Sequence, residues 1–183
     1  MRFGLSEKQS SVEMQMSERE SNGQLDASLQ QIVSEIRARN ATLSIAESLT
    51  GGLLSAAFVS VPGVSEIYRG GVVSYTNEIK AQVLGVDAKL LAAGGAVQAE
   101  VAVQMAAGVA NLCQTDYALA TTGVAGPGPA AGKPQGTVFI GVCTPSGSVA
   151  AEYHFAGNRE EVRESSVVAA ISLLMRLINS ENP

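Results

Sequence analysis

The sequence predicts one α/β domain with helices on both faces of a mixed sheet. Three observations carry this. Short buried-type strands alternate with stretches of helical period. Two strands near the C-terminus are joined only by Pro145-Ser146-Gly147, too tight for a crossover, so that pair is antiparallel. Three polar, glycine-bearing loops follow strand-like runs, as loops at the strand ends of open α/β sheets do. At 183 residues and 46% hydrophobic, the chain fits one sizeable core.

In chain order, residues 1–24 are rich in Ser, Glu and Gln and are expected to form a disordered or loosely attached leader. The domain then runs over 25–183. Leu25, Leu29, Ile32, Val33 and Ile36 recur at helical spacing, and Asn40 closes that helix. Ala41 to Ala46 reads as a buried strand. An apolar helix from Leu53 to Val61 stops at Pro62-Gly63. Gly70 to Tyr75 is a β-branched strand, followed by a helix from Glu78 to Leu84. Ala88 to Ala93 and Glu100 to Leu112 are helices, and Tyr117 to Thr121 is a strand. Gly136 to Thr144 and Ser148 to Phe155 form the hairpin, and a last helix spans Asn158 to Ile178.

Composition removes several function classes. The net charge of −5 disfavours binding to nucleic acid or an anionic membrane. Aromatic residues are 4% with no Trp, which leaves little for base stacking. One histidine, His154, and two distant cysteines, Cys113 and Cys143, offer neither a His-based triad nor a metal set. The sequence therefore predicts no metal and no cofactor. It has no secretory hydrophobic core after its first residues and no membrane-length apolar run, so a cytoplasmic protein is expected.

The chemistry is expected in the three loops. Glu47 to Gly52 sets Ser48 and Thr50 before a helix. Thr50 is an N-cap candidate, and amides near Thr50, Gly51 and Gly52 could attract an anion; the plainer alternative is that Ser48 and Thr50 only cap. Tyr75 to Lys80 brings Tyr75, Asn77 and Lys80. A lysine in a first helical turn is electrostatically misplaced. It is either a solvated surface group or held inward beside a hydroxyl, where burial would make it a base. Thr121 to Gly136 contains Thr122, Gly123, Ala125, Gly126 and Pro127. It fails the phosphate-loop pattern, because Pro127 stands five before Gly132 and Pro134 follows Lys133. It remains a rigid substrate-lining loop. Arg159 follows Gly157-Asn158 at a helix start. The other charges there, Glu160, Glu161, Arg163 and Glu164, read as a solvated face.

Ala46-Glu-Ser-Leu-Thr-Gly-Gly52, Gly70-Gly-Val-Val-Ser-Tyr-Thr-Asn-Glu-Ile-Lys80, Leu84-Gly-Val86, Gly95-Ala-Val97, Thr122-Gly-Val-Ala-Gly-Pro127 and Lys133-Pro-Gln-Gly-Thr-Val138 occur in that order. Together they closely resemble the CinA C-terminal-domain family, the nicotinamide-nucleotide amidases, over about residues 26–178. The resemblance implies a three-layer α/β/α fold with a roughly five-stranded, anticodon-binding-like sheet. It implies hydrolysis of nicotinamide mononucleotide to nicotinic acid mononucleotide and ammonia, without a cofactor, by a stand-alone homo-oligomer, a dimer being expected. An amide hydrolase without His or metal ligands needs a hydroxyl nucleophile and another base. Ser48 as nucleophile, Lys80 as base and Tyr75 as relay meet that need. Glu47, Thr50, Gly51, Gly52, Asn77, the Thr122 to Pro127 loop and Thr137 are expected around a small nucleotide, with Arg159 as a candidate phosphate contact.

Three positions depart from the family pattern. Leu49 stands where Cys is common, Gln98-Ala99 where Ser-Glu is common, and Asn158 where Asp is common. Asn caps about as well as Asp. Gln98 caps poorly where Ser would cap, which motivates a rival reading: a catalytically silent, nucleotide-binding or regulatory paralogue. Hydrolysis of a different amide is a third.

Overall fold

The central strand β1 (Leu43–Glu47) is buried along its whole length. It pairs in parallel with β2 (Tyr68–Val73) on one side and β3 (Tyr117–Gly123) on the other. In the computed structural model, which describes residues 23–181, β3 then pairs antiparallel with β4 (Thr137–Thr144), and β4 with β5 (Gly147–His154). The sheet order is β2-β1-β3-β4-β5, a mixed five-stranded sheet as expected. Residues 1–22, most of the expected leader, lie outside the described residues.

Alternation along the strands decides how the two faces are covered. Ile45, Leu119, Ile140 and Val142 lie in the cluster that also holds Leu29, Ile32 and Ile36 of α1 (residues 23–38). That cluster includes Leu54 and Phe58 of α2 (Leu53–Val59) and Val162, Ile171 and Leu174 of α6 (Arg159–Ser180). Ala46, Ala118 and Ala120 face the other way, into the cluster of Val101, Met105 and Val109 from α5 (Ala99–Cys113). Leu84 of α3 (Asn77–Leu84) and Leu91 of α4 (Ala88–Gly94) complete it. Long side chains fill one layer, while α5 is bedded on alanines.

Glycine sets how closely α5 is approached. A Cβ on Gly141 would come 2.1 Å from the Ala102 carbonyl oxygen, and one on Gly108 would come 2.0 Å from that of Leu84. The second contact seats the C-terminal end of α3, the helix that carries Lys80.

Element boundaries shift where tertiary bonds replace local ones. The strand expected over Gly70 to Tyr75 starts at Tyr68 and ends at Val73. One further bond, Ser74 N–H to Glu47 O at 2.8 Å, follows. Thr76 then caps α3, its hydroxyl accepting from Ile79 N–H. Tyr75 is thereby left in a loop. Helix α2 stops at Val59 rather than Val61, and a short 3-10 turn, Val64–Glu66, follows Pro62-Gly63. In the hairpin Thr144 pairs with Gly147, so the turn is only Pro145-Ser146. Asn158 caps α6 through Glu160 and Glu161 N–H, and Glu161 caps back in a complete capping box.

The Gly108 contact makes an unusual substitution informative. Alanine is intrinsically better than glycine in a helix by about 1 kcal/mol. Gly108→Ala should nonetheless lower stability by about 1–3 kcal/mol, because α3 has to move away from α5. The midpoint of urea unfolding checks this.

Candidate functional site

Parallel pairing brings the C-terminal ends of β1, β2 and β3 together. Ser48 N–H donates to Thr121 O at 3.0 Å, carrying the ladder one residue past β1. The loops after these three strands border a cleft of about 260 Å³. Ser48, Tyr75, Lys80, Thr122, Gly123, Ala125, Gly126, Pro127 and Arg159 line it.

Lys80 is the unusual member. It sits in the first turn of α3 yet is only 1% exposed. Its side chain runs inward, and Nζ donates to Ser48 Oγ at 3.0 Å and to the Ser74 carbonyl at 2.6 Å. No acidic side chain pairs with it among the described residues. Burial disfavours the ammonium and lowers its pKa from the ordinary 10.5 to about 8. The choice left open in the sequence, surface lysine or inward base, is resolved for the inward position.

Tyr75 lies elsewhere than the relay role requires. It is 58% exposed, and its hydroxyl accepts from Arg159 Nη2 at 2.9 Å rather than meeting Ser48 or Lys80. Arg159 Nη1 also donates to Gly126 O at 2.6 Å. The guanidinium therefore ties the Tyr75 loop to the glycine–proline loop across the cleft mouth. Lys80 touches Ser48 directly and needs no intermediary.

The start of α2 differs most from expectation. Thr50 is not its cap: Gly52 occupies that position, with no side-chain cap, and the Thr50 hydroxyl bonds Thr121 Oγ1 at 2.7 Å. The anion at this helix start is the protein's own. The Glu47 carboxylate, 1% exposed, accepts from Gly52, Leu54 and Ser55 N–H at 2.9, 3.1 and 2.9 Å, and from Ser55 Oγ at 2.6 Å. Tyr68 OH donates to Ser55 Oγ behind it. The Gly52 amide is thus unavailable to substrate, and Glu47 is a structural anion.

Glu47, Thr50, Gly51, Gly52, Asn77 and Thr137 do not line the cleft. Thr137 is buried in β4, and its hydroxyl has no partner among the described residues. Thr122 lines the cleft but spends its hydroxyl on Ala96 O. His154 is an exposed strand residue beside Glu152. No group of three or more His, Cys, Asp or Glu side chains is arranged to hold a metal among the described residues.

The family pattern can now be tested against whole-chain similarity. The model of the CinA C-terminal domain matches residues 25–178. The chain belongs to that family. A CinA-like protein of Frankia casuarinae is 48% identical over 157 residues. A putative competence-damage inducible protein of Lactiplantibacillus plantarum is 42% identical over 151. These alignments cover 85% and 82% of this chain, which spans only about a third of the length of either relative. Crystal structures of a CinA superfamily protein from Klebsiella pneumoniae and a competence/damage inducible protein from Agrobacterium tumefaciens superpose with TM-scores of 0.81 and 0.80. They are 31% and 33% identical; the superpositions cover 85% of this chain in both cases, and 98% and 95% of theirs.

Two residues of this CinA domain support the cleft without a legible sequence signal. Gln135 accepts from Gly128 N–H at 2.9 Å and donates to Gly157 O at 2.8 Å, fastening the cleft loop to the start of α6. Arg163, read from sequence as part of a solvated face, is part-buried and bonds the carbonyls of Leu49 and Thr50. Gln98, the departure that raised the silent-paralogue reading, is absent from the cleft wall. Its amide donates to Gly95 O at 2.7 Å and Leu90 O at 3.3 Å, closing the end of α4. Leu49, where the pattern has Cys, does line the cleft.

Among the described residues, no helix is long and apolar enough to cross a membrane.

Glu47→Gln should lower stability by about 1–3 kcal/mol. An uncharged amide interacts less well with the helix start and sets an N–H₂ group against donors. Thermal unfolding of the variant checks this, with Glu66→Gln, an exposed carboxylate, as the near-neutral control.

Proposed function

We propose that this CinA domain is a serine amidohydrolase that converts nicotinamide mononucleotide to nicotinic acid mononucleotide and ammonia. The observation that carries the reading is the 3.0 Å contact between Ser48 Oγ and a buried lysine whose pKa falls to about 8. At neutral pH a useful fraction of such a lysine is neutral and can accept a proton, unlike an ordinary surface lysine. The choice of a pyridine nucleotide rests on the six ordered motifs.

In this mechanism Ser48 Oγ attacks the carboxamide carbon while its proton passes to Lys80. Collapse of the tetrahedral intermediate breaks the C–N bond, and Lys80 returns the proton to the departing nitrogen, which leaves as ammonia. Water then attacks the acyl-serine while Lys80 takes its proton; the Oγ–acyl bond breaks, Lys80 returns that proton to Ser48 Oγ, and the acid leaves as its carboxylate with its own proton passing to solvent. The Ser74 carbonyl holds the lysine in line throughout. With Glu47 filling the start of α2, Arg159 is the better phosphate contact, since it already lines the cleft beside Gly126 and Pro127. The silent-paralogue reading loses its motive, because Gln98 bonds α4 rather than the cleft.

Ammonia release from nicotinamide mononucleotide tests the reading. Ser48→Ala and Lys80→Ala should each lower kcat by about a thousandfold or more while the nucleotide still binds. Lys80→Arg should fail equally, because a guanidinium stays protonated. Release by wild type no greater than by Ser48→Ala would refute the assignment.

Two pH effects follow from the lowered lysine. The ratio kcat/KM should rise with pH through an inflection near 8 as Lys80 loses its proton. Stability should move in the same direction. Between about pH 8 and 10.5 the unfolded chain holds the lysine proton and the folded chain does not, so the folding free energy improves with pH there. Wild type should therefore gain stability relative to Lys80→Met between pH 8 and 10, read from paired urea unfolding curves.

A further inference from the structure

Arg163 follows Arg159 by one turn of α6. Its Nε donates to the Leu49 carbonyl at 3.0 Å and its Nη2 to the Thr50 carbonyl at 2.9 Å. These are the first two carbonyls after Ser48. A peptide unit is planar, so fixing its C=O fixes the whole plane. Arg163 therefore holds the two planes between Leu49 and Gly51 against α6. Gly51 makes the turn at φ +60, where a side chain would be strained, and a Cβ there would lie 3.6 Å from Arg163 Nη2.

We propose that Arg163 is a positioning residue for Ser48. It fixes the two peptide planes that follow the nucleophile, and with them the backbone that sets Ser48 Oγ against Lys80 Nζ. The inference rests on the Ser48–Lys80 reading of the site but not on the identity of the amide. The fork is essential to it. A lysine at 163 brings a single donor point and holds one plane at most. A direct role in substrate binding fits the contacts less well, because Nε and Nη2 are already spent on carbonyls.

The test uses the full chain as wild type, Arg163→Lys and Arg163→Gln, with two readouts. One is labelling by an alkyl phosphonofluoridate, followed by intact mass. The Ser48 Oγ–P bond forms, the P–F bond breaks, fluoride departs and the serine proton passes to Lys80. The other is steady-state hydrolysis of nicotinamide mononucleotide. Both variants should label at least about tenfold more slowly, as a displaced nucleophile requires. Their kcat should fall by a similar factor with KM within about threefold. The pH inflection near 8 should stay in place, since it comes from the burial of Lys80, which neither variant changes. Labelling of folded variants at the wild-type rate overturns the proposal. So does a raised KM with unchanged kcat, which would make Arg163 a substrate contact. If Arg163→Gln does not fold, Arg163→Lys decides. Wild type that labels but does not hydrolyse the nucleotide, with labelling slowed in the variants, discards the substrate and keeps the proposal. Wild type that does not label overturns the proposal and the serine nucleophile together.

Discussion

A lysine amine held in the interior against a serine hydroxyl is the constraint around which this domain is arranged. Keeping the ammonium there is unfavourable by about 3 kcal/mol at neutral pH, as its fall from 10.5 to about 8 implies. The surrounding structure has to hold it. The Thr76 cap starts α3 at the right residue, and Gly108 lets α5 close over the far end of that helix. The Ser74 carbonyl, set by a bond from the Ser74 amide to Glu47 O, gives Nζ its second acceptor. Small shifts in any of these would separate Lys80 from Ser48 or let water restore the ordinary lysine.

Neighbouring residues of one motif do different physical work. Glu47 and Ser48 are adjacent, yet the carboxylate turns into the start of α2 and the hydroxyl toward the cleft. Successive strand residues point to opposite faces, and the chain leaves β1 between them. By supplying its own anion, the protein satisfies the amides of a seven-residue helix that has no side-chain cap. The same choice removes that helix from the search for a substrate phosphate and leaves Arg159 as the cation at the cleft mouth. Both ends of the guanidinium are engaged there, by Tyr75 and Gly126, so a phosphate would exchange with protein contacts rather than enter an empty cradle.

The fold was largely legible because it rests on local pattern. Strand-length runs, helix periodicity, the Pro145-Ser146 turn and the Asn158 capping box each follow from residues close in sequence. Ser48 and Lys80 could be singled out for the same kind of reason: one precedes a glycine-rich helix start and the other is a cation at the wrong end of a helix. Thr50 as cap and Tyr75 as relay did not survive, since each hydroxyl found a partner far along the chain, Thr121 and Arg159. Gln98 was suspect only as a poor cap; its long amide instead reaches carbonyls of the preceding helix.

By itself the sequence determined the layer order, the mixed sheet, the three loops that gather at its strand ends and the residue types available for chemistry, because hydrophobic period and turn chemistry act over a few residues. Tertiary structure alone decided which polar groups are spent and which stay free. In a linear reading Glu47 is a substrate contact and Arg163 part of a solvated face. One becomes a buried helix anion, and the other a clamp on carbonyls more than a hundred residues away in the chain. Hydrogen-bond partners separated by that distance carry no periodic signal, and whether a charge is solvated or enclosed depends on what the opposite layer brings to it.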